Sequence, residues 1–301
     1  MDYAAQIQPV LQRIDARITE RLTVAELAAA ANFSPYHFSR VFQGVTGMPV
    51  MLYVTRRKLQ FALDDLSRGK KVVDVAMEYG FETHAGFTKA FRRCFGYPPS
   101  LYRVHGGLHA VGAPAINQNK TGGILMNYVI KEMGPITIAG YASRHTLPDV
   151  KHTRDVPAWW DSVNMEFSEP LTRLHRTFSQ SKHCEYGICF DVDLETGGFT
   201  YLLGVGVDNA GDLNKIEPDM RRIDLPGGEY AVFTTPMVPS EQYADSIRET
   251  WKEILLRWLP DCGYEFDDAR MDFEYYDQRD HAWEHDNMVQ MDICIPVKKK
   301  S

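Results

Sequence analysis

Glu274, in the run Phe273-Glu274-Tyr275-Tyr276, has the setting in this chain that most suggests chemistry. If the segment is a strand, Met271, Phe273 and Tyr275 share one face, and Asp272, Glu274 and Tyr276 share the other. A mid-strand carboxylate beside aromatic rings is costly to bury unless something neutralises it. A lipophilic cation would do so, and each ring face it met would add about 0.5–2 kcal/mol. A solvated strand face, or an arginine paired with Glu274, would give the same local sequence. A second constellation is basic. Tyr36, His37, Ser39, Arg40 and Gln43 fall on one helical face. Thr83, His84, Ala85, Thr88, Lys89, Arg92 and Arg93 fall on another, and Arg103 follows downstream. Such faces suit DNA: the N-terminal turns of each helix reach base edges, and the arginines suit phosphates. An ordinary solvated basic face is the competing reading for any single arginine or lysine.

The elements that must position these basic faces are repeated. Ala28-x4-Phe33 recurs 48 residues later as Ala76-x4-Phe81. Arg40-x-Phe42-x4-Gly47-x-Pro49 recurs 49 residues later as Lys89-x-Phe91-x4-Gly96-x-Pro98, so Arg40 and Lys89 are matched positions. Two copies of one supersecondary unit account for this. Each reads as helix, turn, helix. Thr23 and Glu26 form a capping box, Asn32 ends the first helix, and Ser34-Pro35 starts the next. Phe38, Val41, Phe42 and Val45 form the buried stripe of the first unit, and Phe87, Phe91 and Phe95 that of the second. A helix from about 50 to 66 joins the units, with Leu52, Leu59, Ala62, Leu63 and Leu66 on its apolar side.

These residues carry a resemblance. Val72-Val73-Asp74-Val75-Ala76-x3-Gly80-Phe81-Glu82-Thr83-x3-Phe87-x3-Phe91-Arg92-x3-Gly96-x-Pro98 resembles the signature of AraC/XylS-type transcription regulators over about residues 8–105. The resemblance implies two helix-turn-helix units in adjacent major grooves of double-stranded DNA. Tyr36, Ser39, Arg40, His84, Ala85, Thr88 and Lys89 then take the base-reading places.

After a Gly-, Pro- and Asn-containing stretch the pattern changes. Residues 127–301 read as two strand-helix-strand-strand units, with a bend at Gly227-Gly228 and a helix bearing Tyr243, Ile247, Trp251, Ile254 and Leu255 on one stripe. The expected fold is therefore multidomain. An all-α double helix-turn-helix domain (1–108) is followed by a linker (109–126) and an α+β domain (127–301). Pro157-Ala158-Trp159-Trp160, Tyr186-Gly187-Ile188, Tyr201 before Gly204-Val205-Gly206-Val207, and Phe273-Glu274-Tyr275-Tyr276 resemble the GyrI-like effector-binding domain. That resemblance implies a cleft between the repeats with Glu274 central and Trp160, Tyr186 and Tyr201 as walls. Either Trp159 or Trp160 faces it, the other packing helix to sheet. Some GyrI-like proteins are hydrolases or sequester drugs, so a general-base role for Glu274 is the rival expectation.

Charge supports the division. Residues 1–110 hold 14 Lys and Arg against 9 Asp and Glu, and the remainder 19 against 31, within a net charge of −7. A basic half joined to an acidic half suggests one phosphate-facing task and one different task. The five cysteines form no C-x-x-C pair and are odd in number, as expected of reduced cytoplasmic thiols. No signal-peptide pattern opens the sequence and no apolar run suits a membrane span. His281-x3-His285 is a possible metal pair, outweighed by a polar-loop reading. Phosphate-loop, nucleophile-elbow and zincin motifs are lacking. The sequence thus points to a non-enzymatic, cytoplasmic regulator that needs no cofactor or metal. Its partners would be DNA, a small-molecule effector of lipophilic or cationic character, and RNA polymerase.

Overall fold

The computed structural model describes residues 3–108, 128–146, 169–178, 180–193, 198–281 and 285–300. The linker stretch, Trp159 and Trp160 lie outside them. Seven helices come first: α1 (Tyr3–Ala16), α2 (Val24–Ala30), α3 (Pro35–Thr46), α4 (Val50–Ser67), α5 (Val72–Glu78), α6 (His84–Phe95) and α7 (Pro99–Leu108). Their boundaries follow from the caps. The Thr23–Glu26 capping box is closed in both directions, and Ser34 caps α3 with Pro35 at its first position. Thr83 repeats this by accepting from the Gly86 amide. The turns inside the two units match as well. Asn32 and Gly80, 48 positions apart, both take positive φ, 57° and 74°. An αL residue suits a tight turn, and asparagine tolerates it better than other side-chain-bearing residues do.

Phe38, Val41 and Phe42 of α3, and Phe87, Phe91 and Phe95 of α6, are buried as expected. Val45 and Leu52 are not: they are 40% and 50% exposed. On α4 the buried row is Val50, Val54, Arg57, Leu59, Ala62, Leu63 and Leu66. A helix of about 3.6 residues per turn carries Leu52 past the edge of that row. Arg57 joins the row because its guanidinium grips both oxygens of Asp15, tying α4 to α1 at 2.8 and 2.7 Å.

The second half is a nine-stranded antiparallel sheet with helices. Its elements are β1 (Tyr128–Met133), β2 (Ile136–Thr146), α8 (Glu169–Thr177), β3 (Cys184–Phe190), β4 (Gly198–Gly206), β5 (Arg221–Leu225) and β6 (Gly228–Thr234). There follow β7 (Val238–Pro239), α9 (Tyr243–Glu253, running on through a π-helical turn at Ile254–Trp258), β8 (Tyr264–Phe266), β9 (Phe273–Asp277), β10 (Met288–Val289) and β11 (Asp292–Lys299). The sheet order is β1-β6-β11-β9-β3-β4-β2-β5, with β8 added on β11. Each repeat therefore lends its first strand to the other: β1 pairs with β6, and β5 pairs with β2. The halves meet at β3 and β9, where Glu185 opposes Tyr276, Tyr186 opposes Tyr275 and Gly187 opposes Glu274. The α-helical half followed by an α+β half is the expected architecture.

The two halves share a core. Phe91, Phe95, Tyr97 and Tyr102 join Trp251, Ile254, Leu255 and Leu259 in one buried cluster. The buried Tyr97 hydroxyl donates to the Leu255 carbonyl at 2.8 Å, and the Phe266 amide donates to the Gly96 carbonyl at 2.9 Å.

Candidate DNA interface and effector site

Tyr36 (75% exposed), His37, Arg40, Ala85, Lys89 and Arg93 lie on open surface, and Ser39, His84 and Thr88 are half-buried beside them. The phenylalanine stripes turn these faces of α3 and α6 outward. His37 is braced edge-on by Phe33, with ring centroids 4.9 Å apart, and Ser39 returns its hydroxyl to the Pro35 carbonyl at 2.8 Å. Two arginines differ from expectation. Arg92 is ion-paired with Asp268 of the second half, so its place is at the junction rather than on the open face. Arg103, 2% exposed, donates to the Gly69 carbonyl at 3.1 Å, and burial lowers its pKa. A guanidinium enclosed in that way is a strut between α7 and the α4–α5 turn and cannot reach a phosphate.

Glu274 is buried, 6% exposed, at the seam of the two repeats. Strand alternation puts Glu274 and Tyr276 on one face and Phe273 and Tyr275 on the other. Three neutral donors hold the carboxylate. The Tyr201 and Tyr276 hydroxyls donate to Oε2 at 3.0 and 2.9 Å, and the Trp251 indole donates to Oε1 at 3.2 Å. Burial first, then the neighbouring Glu274 charge, raises the Tyr276 phenol well above its ordinary pKa, which keeps it a donor. Gly187, directly across the seam, is what admits this cluster. A Cβ there would stand 2.1 Å from the Tyr201 hydroxyl oxygen and 3.2 Å from Glu274 Oε2.

Of the expected walls, Tyr201 meets Glu274 and Tyr186 does not; Tyr276, expected on the same strand face, meets it too. Tyr186 opposes Tyr275, so its ring emerges on the other face and packs against Phe273 at 5.6 Å. There it lines an open cavity of about 510 Å³ with Ile136, Thr137, Ser181 and Asp208. The reason is parity: an even offset along β3 would be needed to share the Gly187 face. Trp159 and Trp160 fall outside the described residues.

Trp251 is the residue that sequence reasoning placed on a core stripe without connecting it to Glu274. It is fully buried, and its indole stacks on His105 of α7 at 3.7 Å and 11°. His105 Nε2 in turn lies 2.7 Å from Asp272 Oδ2, two residues from Glu274. The helical period alone cannot distinguish a tryptophan that packs from one that also donates; only the long-range pairing of α9 with β9 does.

His281 and His285 are not brought together as the sequence spacing allowed. His285 Nε2 lies 3.0 Å from the Gln278 carbonyl oxygen, while the His281 ring approaches His183 at 5.2 Å. The cysteines at 94, 184, 189, 262 and 294 are free thiols. Among the described residues, no helix is long and apolar enough to cross a membrane.

Comparison with known proteins matches residues 129–297 to the family model described as integron-associated effector binding protein, and residues 27–105 to a helix-turn-helix domain model. The chain is 32% identical over 243 residues to right origin-binding protein of Escherichia coli K12, covering 78% of this chain and 79% of that one. It is 33% identical over 99 residues to the HTH-type transcriptional activator AarP of Providencia stuartii, covering 33% of this chain and 73% of AarP. Over 166 residues it is 28% identical to transcriptional regulator Rob of Salmonella typhimurium, covering 54% of this chain and 57% of Rob.

Proposed function

The chain belongs to the AraC-type transcription regulators that carry an integron-associated, GyrI-like effector-binding domain, and from that premise we propose that its effector is a lipophilic cation bound at Glu274. The observation that carries this reading is a buried carboxylate that accepts hydrogen bonds from three neutral aromatic donors, Tyr201, Tyr276 and Trp251. A cation entering there gains the carboxylate's charge and the ring faces together, in surroundings of low dielectric. An anion would be repelled, and a neutral ligand would gain nothing from the carboxylate's charge.

The same reading supplies a route to DNA. Trp251 touches Glu274 with its N–H and His105 of α7 with its ring face. A ligand that takes the carboxylate displaces the indole donor and so disturbs the stack under α7. The α7 helix packs on the second helix-turn-helix unit through Tyr102, which stacks on Tyr97 beside Phe91 of α6. Occupancy would then alter how α6 sits in its groove, or how the bound protein meets RNA polymerase. Arg40 and Lys89, matched in the repeat, would read bases, with Tyr36, Ser39, His84, Ala85 and Thr88 beside them and Arg93 on phosphate.

The relatives above are named as regulators of transcription or origin-binding proteins, which favours sensing over turnover. The test is direct. Rhodamine 6G, a fluorescent lipophilic cation, should bind the full chain saturably and be recovered unchanged. Glu274→Gln should weaken that binding at least ~30-fold, about 2 kcal/mol for a lost buried charge contact. Steady breakdown of a candidate ligand, abolished in Glu274→Gln, would instead establish a hydrolase.

A further inference from the structure

The seam between the repeats holds a second acid. Strand pairing relates Glu185-Tyr186-Gly187 of β3 to Glu274-Tyr275-Tyr276 of β9: each glutamate lies across from the residue two beyond the other. Glu185 is thus the repeat counterpart of Glu274, on the same sheet face and buried at 9% exposure. What covers it is different. Glu274 lies under an indole and two phenols, and Glu185 lies under imidazoles. His175, in the last turn of α8, places Nε2 2.6 Å from Glu185 Oε1. His183, just before β3, places Nε2 3.3 Å from the same oxygen. The two rings are stacked at 4.0 Å and 17°.

We propose that His175, His183 and Glu185 form a binding site for a divalent transition-metal ion of the zinc type. The three donor atoms all lie within 4.8 Å of one another, His175 coming from α8 and His183 and Glu185 from the segment that enters β3. Two imidazole nitrogens and one carboxylate oxygen are a donor set that suits zinc and its neighbours and not magnesium or calcium. Bond lengths of about 2.0–2.2 Å in a tetrahedron put ligand atoms roughly 3.4 Å apart. The His183–Glu185 separation of 3.3 Å already has that value. The His175–Glu185 contact must open by roughly 0.8 Å as the metal replaces the proton held there, which a small ring rotation supplies. A metal satisfies both rings in their neutral form. The fourth position is open to water or to His281, whose ring is 5.2 Å from that of His183. The ion would fasten α8 to β3. It would stand next to Tyr276, the cross-strand neighbour of Glu185, whose hydroxyl bonds Glu274.

The experiment uses the full chain, stripped with a chelator and dialysed, and zinc chloride alone as the probe. Calorimetric titration should show one equivalent bound with Kd at or below about 10 µM, and saturating zinc should raise Tm. Magnesium chloride should do neither. His183→Gln, at the more exposed ligand, should weaken zinc binding at least ~30-fold, and adding His175→Gln should abolish it. His285→Gln should titrate like the unaltered chain. No saturable binding up to about 100 µM zinc would overturn the proposal, as would unchanged affinity in His183→Gln with native circular dichroism. Equal loss in His285→Gln would also overturn it. If the double variant fails to fold, the single variant still decides.

Discussion

At the residue scale, the proposed effector chemistry is a contest over one carboxylate. Tyr201, Tyr276 and Trp251 already satisfy Glu274, so a cation must offer more than they do. Trp251→Phe keeps a ring and removes the donor. It should leave cation affinity equal or higher, because the ligand then displaces one bond fewer, with the fold intact by near-ultraviolet circular dichroism. Asp280 provides a pH test. Burial raises its carboxyl from 3.8 to about 6, with Glu185 adding repulsion while Tyr243 opposes by hydrogen bonding. The folded chain thus favours the protonated acid. That contribution to stability is whole at low pH and is lost as pH climbs from 3.8 to about 6. Asp280→Asn should therefore unfold at a higher temperature than the unaltered chain at pH 7, by at most about 3 kcal/mol and less where solvent reaches the side chain. The difference should close toward pH 4. A constant difference across that range would contradict the assignment.

At the element scale, the two helix-turn-helix units are built alike and attached differently. The open faces of α3 and α6 carry Arg40 and Lys89 at matched positions, so either change to alanine should reduce specific DNA binding, by about 1–3 kcal/mol where a base contact is lost. Arg93→Ala should instead lower the steepness of the salt dependence while leaving sequence preference unaltered. Arg103→Ala separates packing from contact. Because Arg103 is buried against the Gly69 carbonyl, its loss should lower Tm and leave the salt slope of the folded fraction unchanged. The αL turns give a second contrast. Asn32→Ala should cost about 1 kcal/mol in chemical denaturation, since a Cβ-bearing residue without the asparagine amide is strained at φ 57°.

At the scale of the whole molecule, α7 joins the two halves and is the element through which the proposed coupling would run. Its Tyr102 lies in the common core, its His105 stacks on Trp251 and meets Asp272, and just beforehand Tyr97 reaches the Leu255 carbonyl. The charges that divide by sequence meet here by structure, since Arg92 leaves the basic surface to pair with Asp268. Coupling is reciprocal. If the cation changes DNA affinity by some factor, DNA must change cation affinity by that same factor, measurable by titrating rhodamine 6G with and without operator. His105→Ala should bring both factors toward one while leaving each separate affinity within about threefold. A factor undiminished in His105→Ala would place the coupling elsewhere.

The amino-acid sequence by itself determined what is local or periodic. Caps, αL turns and phenylalanine stripes are set by neighbours within a few residues, so the doubled helix-turn-helix was legible down to Thr23, Ser34 and Asn32. Strand alternation likewise placed Tyr276 beside Glu274 before any fold was known. Tertiary structure decided whatever depends on which strand lies next to which. The β3–β9 pairing turned Tyr186 away from Glu274, the β3–β4 pairing drew Tyr201 in over Gly187, and the packing of α8 set His175 on Glu185 beside His183. It took the α7–α9 contact to join Trp251 to His105, the pairing with Asp268 to draw Arg92 to the junction, and the Gly69 carbonyl to hold Arg103 inside. A single strand carries its own parity but not the register of a partner ninety residues away, and a helix carries its stripe but not what the stripe meets.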